Sequence, residues 1–333
     1  MAIRLIEVFT PADRLELARS SVSSLDTISI WWEKLSDDKA QLHILAEAER
    51  SEEITDKLRS ALADSGDELR IVSLPVAASI PAPEETQDES RKPGRILHRK
   101  IHRVSREELY DDVQEMMRTS WPNIIMTILS AVVCAVGLAQ GNIAVIIGAM
   151  VIAPLLGPNV GLALAVTLGD FQFSLRSLRE NTLRIGTAFA FAVIVGIFFQ
   201  IDPNVPEIVS RTFISSTDIV IALAAGAAGA LALSTGAPAT LIGVMVAAAL
   251  MPPLVVTGML TALGNYRGAL GALQLLSVNL ISINLAGVLT FLAVGIRPGS
   301  KDDVKKARIL ATLVVVVWLA LLAALTVLIV SNA

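Results

Sequence analysis

The sequence predicts a membrane protein in which a small α+β domain precedes a bundle of about seven transmembrane helices. The chain of 333 residues is 53% hydrophobic and only 17% charged, whereas soluble domains are closer to a quarter charged. The charge is concentrated in residues 1–120, and long uncharged runs fill residues 121–333. A 30-residue segment also recurs within the apolar part, which indicates an internal repeat.

The composition argues against several other classes of protein. The formal net charge of -4 gives no sign of a nucleic-acid-binding surface. The single cysteine, Cys134, lies in an apolar run, so no disulfide framework is expected. The first residues, MAIRLIEVFTPADR, lack the basic stretch and apolar core of a signal peptide. We therefore expect the first segment to stay in the cytoplasm.

Residues 1–78 are predicted to form a ferredoxin-like cytosolic domain, because apolar and alternating runs follow one another in the order βαββαβ. The strands and helices are expected, in chain order, at 3–9, 12–24, 27–35, 40–47, 51–66 and 69–76. Trp31 points opposite to Trp32 in its strand and is expected on the face without helices. That face is either a pairing or ligand-sensing surface, or it carries a partly exposed aromatic under a loop.

Two short segments connect this domain to the membrane part. Residues 79–104 are predicted to be a polar linker with a basic patch, in which His98 and His102 are four apart. No third ligand is nearby, so no metal site is predicted there. Residues 105–120 are predicted to be an amphipathic interfacial helix, which begins with a capping box at Ser105 and ends beside Trp121.

Seven apolar segments follow, and each is long enough to cross about 30 Å of hydrocarbon. They are 122–140, 142–168, 181–200, 218–235, 237–263, 269–295 and 308–330. Lys and Arg are frequent before the first segment, between the second and third, where Arg176, Arg179 and Arg184 are counted, and between the sixth and seventh, and they are rare in the other loops. The positive-inside rule therefore places the N-terminus in the cytoplasm and the C-terminus outside the cell (inner) membrane.

The recurring segment is GNIAVIIGAMVIAPLLGPNVGLALAVTLGD at 141–170 and GAPATLIGVMVAAALMPPLVVTGMLTALGN at 236–265. The two align without a gap at an offset of 95 residues, and 12 of the 30 positions are identical. Repeat one is predicted at 122–200 and repeat two at 217–295. Each copy holds three spans, which is an odd number, so we expect a 3+3 inverted repeat with an extra helix at 308–330.

The second and fifth apolar segments carry residues that disrupt helices in their middle. These residues are Pro154, Gly157 and Pro158 in one copy and Pro252 and Pro253 in the other. We predict that each segment forms two half-helices that meet at an unwound or sharply kinked joint near the midplane, and that the half-helix N-termini near Asn159 and Leu254 present partial positive charge. Broken helices at matching repeat positions favour a solute site. The alternative is that the prolines only bend packed helices.

Polar side chains in the apolar segments complete the candidate substrate-binding set. Besides the five helix-disrupting residues, they are Asn159, Thr257, Thr261, Ser277, Asn279, Ser282 and Asn284. Ser277 and Asn284 share one helical stripe and Asn279 and Ser282 share another, so we expect one pair to face the path and the other to bond a neighbouring helix. No Asp or Glu lies deep in any segment, which argues against ion coupling through a buried carboxylate.

Three segments carry a resemblance to a known family. IIGAMVIAPLLGPNVGLALA, SREELYDDVQ and NLISINLAGVLTFLAVGIRP resemble the uncharacterised hydrophobic domain family of prokaryotic membrane proteins (domain of unknown function 389). The resemblance covers about residues 105–298. It implies a polytopic membrane protein that is often preceded by a small cytosolic domain, and it supplies neither a substrate nor catalytic residues.

The leading hypothesis is a transporter of a small neutral or anionic solute, regulated by the N-terminal domain and assembled as a homo-oligomer in the lipid bilayer. One alternative is a channel of the same architecture, and the other is a non-transporting membrane sensor or scaffold. No enzyme is expected, because no apolar segment carries a His, paired carboxylates or a Ser/His set. No cofactor is expected either.

Overall fold

The computed structural model describes residues 3–47, 50–63, 69–76, 104–199, 201–237, 239–298 and 301–332. The chain forms two compact units, Met1–Glu108 and Leu109–Ala333. Most of the predicted linker 79–104, with His98 and His102, lies outside the described residues.

The first unit contains a small antiparallel sheet with two helices. Its elements are β1 (Ile3–Pro11), α1 (Leu15–Val22), β2 (Ser29–Lys34), β3 (Lys39–Glu47), α2 (Ser51–Ala61) and β4 (Arg70–Val76). This is the βαββαβ order that the sequence predicts. The strands lie in the order β2-β3-β1-β4, and every neighbouring pair is antiparallel.

Alternation along the central strands sends apolar side chains to one face of this sheet. Leu42 and Ile44 of β3 are fully buried with Ile54 and Leu58 of α2 in one apolar core. His43 points to the other face, where the rings of Trp31 and His43 stack with centroids 5.1 Å apart. Trp31 is therefore on the face without helices, as its position in the strand predicts.

Helices make up the second unit. They are α3 (Arg106–Met117, which begins in the first unit), α4 (Trp121–Ala139), α5 (Ile143–Ile152), α6 (Leu156–Leu168), α7 (Phe171–Phe198), α8 (Pro206–Val209), α9 (Ser216–Ser234), α10 (Ala239–Ala262), α11 (Tyr266–Val294) and α12 (Lys301–Asn332). Within the described residues, six helices are long and apolar enough to cross a membrane, and the bent pair α5–α6 gives a seventh crossing if it counts as one. A multi-pass membrane protein follows from these helices, and the number agrees with the seven predicted segments.

The helix predicted at 105–120 is observed as α3, and its apolar side is covered by protein. Ser105 Oγ accepts a hydrogen bond from the backbone N–H of Glu108 at 3.2 Å, which is the predicted cap. Leu109, Val113 and Met117 are at most 1% exposed. Their spacing of four residues forms a single stripe on the helix, so this stripe is buried in packing within the protein.

Helix ends in α4–α7 recur 95 residues later. α4 and α9 have the same length, and their N-cap residues Ser120 and Ser215 each accept a backbone N–H bond. Gly169 and Gly264 both follow the preceding helix with φ near +72°, in a left-handed conformation that favours glycine. This recurrence of ends and caps is the pattern that a duplicated three-span unit would give.

The prediction of two broken helices is right for the first copy and wrong for the second. α5 and α6 are bent by 54° relative to each other, and Ala153 between them has an extended conformation with ψ 117°. α6 begins at Leu156 rather than near Asn159. In contrast, α10 continues through Pro252 and Pro253, so no half-helix starts near Leu254.

Candidate functional site

A proline in each copy of the recurring segment removes one backbone donor, and a side chain from a neighbouring helix replaces it. In an unbroken helix, the N–H of residue 158 would pair with the carbonyl of residue 154, and that of residue 253 with the carbonyl of residue 249. The Arg184 guanidinium of α7 donates to the carbonyl of Pro154. Asn279 Nδ2 of α11 donates to the carbonyl of Ala249 at 2.8 Å. These two donors are themselves 95 residues apart.

The two copies receive equivalent donors but differ in the position of their other proline, and only α5–α6 is broken. In α10, Asn279 restores the hydrogen bond that Pro253 removes, and such support from a neighbouring helix lets prolines stay inside membrane helices. In the first copy the position that corresponds to Ala249 is a second proline, Pro154. A proline disfavours the helical conformation of the residue before it, and Ala153 is accordingly extended.

Replacing Asn279 with leucine is expected to lower the free energy of unfolding by about 1–2 kcal/mol, because the carbonyl of Ala249 loses its donor. In a Pro253→Ala background the backbone N–H returns, so the same Asn279→Leu change should cost clearly less. Unfolding of the four proteins in detergent, arranged as a double-mutant cycle, measures this coupling. Ser277→Ala is the control, because its hydroxyl bonds the carbonyl of Leu273 in its own helix. If Asn279→Leu lowers the free energy of unfolding equally in both backgrounds, Asn279 does not replace the donor that Pro253 removes.

Arg184 joins three segments of backbone at the break. Only 4% of the residue is exposed. Besides Pro154, its Nη2 donates to the carbonyls of Met116 and Met117, each at 3.2 Å. Glu180 lies one turn earlier in α7, and its carboxylate accepts a hydrogen bond from Thr119. The end of α3, the break and α7 are therefore held together by one buried guanidinium.

Sequence reasoning counted Arg184 among the charges of a loop, and this assignment was wrong. The residue lies inside α7, which begins at Phe171. The signal that could have found it is its offset of 95 residues from Asn279, the polar residue at the matching position of the second copy. Neither the residue type of Arg184 nor the hydropathy of its segment is enough by itself to identify it as a site residue.

Two glycines of α6 let the end of α3 approach the break. A Cβ atom on Gly157 would lie 2.7 Å from the carbonyl oxygen of Met116, and one on Gly161 would overlap the sulfur of Met117. Because real Cβ atoms need more room than this, a larger residue at position 157 would push the backbone of α3 away, whereas one at position 161 would first displace the flexible side chain of Met117. Gly157 thus contributes close packing beside Arg184, and its predicted role as a source of backbone freedom stays a prediction.

We expect Gly157→Ala to destabilise the protein by about 1–3 kcal/mol, which is the usual cost of overpacking. Gly148→Ala in α5 is the matched control, because a Cβ atom there meets nothing within 4 Å. The control should be neutral or slightly stabilising, since alanine favours the helical conformation. Thermal unfolding in detergent compares the two variants. A loss at Gly148 equal to that at Gly157 would show that the approach of α3 is not the cause.

Three asparagines from three helices meet beside the break. Asn159 Oδ1 of α6 accepts hydrogen bonds from Asn181 Nδ2 of α7 at 3.0 Å and from Asn284 Nδ2 of α11 at 3.2 Å. Asn159 Nδ2 donates to the carbonyl of Leu155 at the start of α6. All three asparagines are at most 3% exposed. We call Asn159, Asn181 and Asn284 the asparagine cluster.

Several buried oxygen atoms of α7 and α11 have no hydrogen-bond partner among the described residues. They are Oδ1 of Asn181, Asn279 and Asn284 and Oγ of Ser282. Buried polar atoms are nearly always paired, and an unpaired one costs several kcal/mol in a bilayer core. These oxygens can therefore accept hydrogen bonds that the described residues do not supply.

The remaining predicted residues do not join the cluster. The hydroxyls of Thr257 and Thr261 donate to the carbonyls of Pro253 and Thr257 in their own helix, and Ser277 also bonds its own helix. Asn279 and Asn284 both bond neighbouring helices, so the expected division between two stripes is not observed. Asn181 was missed, because it stands at the first position of a predicted segment and has no polar pattern around it.

An open cavity of about 480 Å³ lies close to this site in the second unit. Its lining carries three carboxylates and two arginines, namely Asp111, Glu115, Glu180, Arg118 and Arg176, beside Gln114, Met117 and Thr119. The carbonyl of Met117 accepts a hydrogen bond from Arg184, and Glu180 lies one helical turn before Arg184 in α7. The cavity is thus a candidate entrance from the end of α7 that is predicted to face the cytoplasm.

Comparisons with known proteins find relatives without an assigned activity. The family model described as "Domain of unknown function (DUF389)" matches residues 150–285. The chain is also similar to an uncharacterized protein of Methanocaldococcus jannaschii, with 32% identity over 333 residues that cover all of both chains. No solved structure matches the chain significantly.

Proposed function

We propose that this chain, which belongs to the family described as Domain of unknown function (DUF389), transports a small polar solute across the membrane. The observation that carries the proposal is the asparagine cluster beside the α5–α6 break. There the buried oxygens of Asn181 and Asn284 have no partner among the described residues. Irregular backbone at membrane depth is tolerated where it is buried in protein or lines a cavity, and transporters place their sites at such breaks.

The second support is the recurrence of helix ends and donors at an offset of 95 residues. We propose that α4–α7 and α9–α11 are copies of one three-span unit. Three is an odd number, so the second copy enters the bilayer from the opposite side. Inverted repeats supply two related conformations that open to opposite sides of the membrane, which is the requirement for alternating access.

The charges at the site favour a neutral or anionic solute over a cation. Arg184 is a buried positive charge at the break, with the carboxylate of Glu180 one helical turn earlier in α7, and the N-terminus of α6 adds partial positive charge. Fixed positive groups of this kind exclude cations from membrane pathways. The unpaired oxygens favour solutes that carry N–H or O–H groups, such as urea, glycerol or a small hydroxy acid.

The first unit is proposed to regulate transport, with the protein acting as a homo-oligomer. The supporting fact is that residues up to Glu108 form a compact unit of their own. The helix that follows, α3, ends at Met117, whose carbonyl is held by Arg184. A shift of α3 along its axis would act on the same guanidinium that supports the break.

Uptake by the full-length protein in liposomes tests this function. The panel contains radiolabelled urea, glycerol, lactate, phosphate, sodium and rubidium, and empty liposomes provide the background. We expect saturable uptake of one or more neutral or anionic solutes and none of sodium or rubidium. Flux that does not saturate would favour a channel of the same architecture. No flux of any solute would overturn the proposal in favour of a sensor or scaffold.

A further inference from the structure

A second cavity, of about 430 Å³, opens between α6, α11 and α12 in the second unit. We call it the α12 groove. Much of its wall is apolar and faces outward, since Leu289 is 51% exposed, Leu292 43% and Val316 58%. Exposed aliphatic side chains along membrane helices are the natural partners of acyl chains. This apolar wall by itself would accept the acyl chain of any lipid.

One end of the α12 groove carries positive charge. Arg297, just after α11, and Arg308, in the first turns of α12, both line the groove and are exposed. None of the described lining residues is acidic. Arg297 has a further interaction within the chain, and the five donors of a guanidinium can serve more than one partner. Both arginines lie near the connection that the positive-inside rule places at the cytoplasmic surface, where lipid headgroups are.

We propose that the α12 groove binds one anionic phospholipid, with its phosphate between Arg297 and Arg308 and an acyl chain along Leu289, Leu292 and Val316. Basic pockets between membrane helices on the cytoplasmic side bind anionic headgroups, and arginine matches phosphate oxygens with paired donors. A neutral phospholipid would use only the apolar wall, and a free phosphate would use only the arginines. The combination selects a molecule that has both parts.

The position of α12 gives this lipid a structural role. α12 lies outside the proposed repeat, and only 6% of its most apolar window is buried by the protein. It packs closely against Gly169, where a Cβ atom would lie 2.6 Å from the Cα atom of Ala307. A lipid in the adjoining groove would fill the space that protein side chains leave open between α12 and the repeat.

Native mass spectrometry of the delipidated full-length protein measures the binding. Titration with phosphatidylglycerol should give one tight site, and phosphatidylcholine should bind much more weakly. The Arg297→Gln/Arg308→Gln variant should bind phosphatidylglycerol about 30-fold more weakly, because each basic residue near an anionic lipid surface contributes about fivefold. Arg267→Gln, an exposed arginine outside the groove, is the charge-matched control and should bind as the wild type does.

A variant in the apolar wall distinguishes a lipid from other occupants. Thr312 lines the groove and is exposed, so Thr312→Phe should fill the acyl channel and weaken phosphatidylglycerol binding without a change of charge. Excess inorganic phosphate should not displace the lipid. Displacement by phosphate, equal binding of phosphatidylcholine, or equal weakening by Arg267→Gln would overturn the proposal. A change of oligomeric state in Thr312→Phe would assign the groove to a second copy of the chain instead.

Discussion

Replacing Arg184 with leucine is expected to abolish solute uptake and to lower the free energy of unfolding by about 3 kcal/mol. Its guanidinium is the donor to three buried carbonyls, those of Pro154, Met116 and Met117. Each buried carbonyl left without a donor costs about 1 kcal/mol or more. Because the same carbonyls fix the break and the end of α3, the loss should also misplace the asparagine cluster. Uptake into liposomes and unfolding in detergent measure the two effects.

Two further variants separate this role from a general effect of charge. Arg179→Leu removes an exposed arginine from the same helix and should leave both stability and uptake near the wild-type values. Arg184→Lys keeps the charge but loses the branched donor group, so it should retain part of the stability and little of the uptake. If Arg184→Leu proves as stable and as active as Arg179→Leu, the guanidinium does not support the break.

Asn159→Leu is expected to reduce uptake by about tenfold or more, which is the effect of losing one hydrogen bond in the bound state. Asn159 Oδ1 holds the amides of both Asn181 and Asn284. Without it those amides can rotate, and their oxygens no longer point to a fixed place. The solute concentration that gives half-maximal uptake should rise, and initial rates over a range of concentrations measure it.

The control for this variant is Ser234→Ala. Ser234 is also buried, and its hydroxyl bonds the carbonyl of Ala230 in its own helix, α9. Its loss should change stability slightly and leave uptake unchanged. If the Asn159→Leu protein takes up solute with the same kinetics as the wild type and the Ser234→Ala protein, the asparagine cluster is only a structural contact. The solute site would then lie elsewhere.

The helices and their order could be predicted from the sequence, because uninterrupted apolar runs longer than a bilayer crossing have few alternatives. The βαββαβ order of the first unit followed in the same way from periods of two and of 3.6 residues. Pro154 correctly marked a broken helix. These predictions rest on local properties of the chain, which hydropathy and proline positions report directly.

Predictions that depended on contacts between distant residues were less successful. Pro252 and Pro253 were expected to break α10, but α10 is continuous, and Asn279 from another helix donates to the carbonyl that Pro253 leaves without its backbone donor. Proline chemistry is local, whereas the replacement of its missing donor is a tertiary contact. Arg184 and Asn181 were not recognised as site residues for the same reason, since their partners Pro154 and Asn159 lie more than twenty residues away in the chain.

The orientation of the two proposed copies is tested most directly by cysteine labelling at equivalent positions. Gln140 and Thr235 are exposed residues just after α4 and α9, 95 residues apart. In a Cys134→Ala background, Gln140→Cys should react with a membrane-impermeant maleimide only from outside the cell, and Thr235→Cys only from the cytoplasmic side. Labelling of both positions from the same side would mean that the copies are parallel, and the case for solute passage through an inverted repeat would fail.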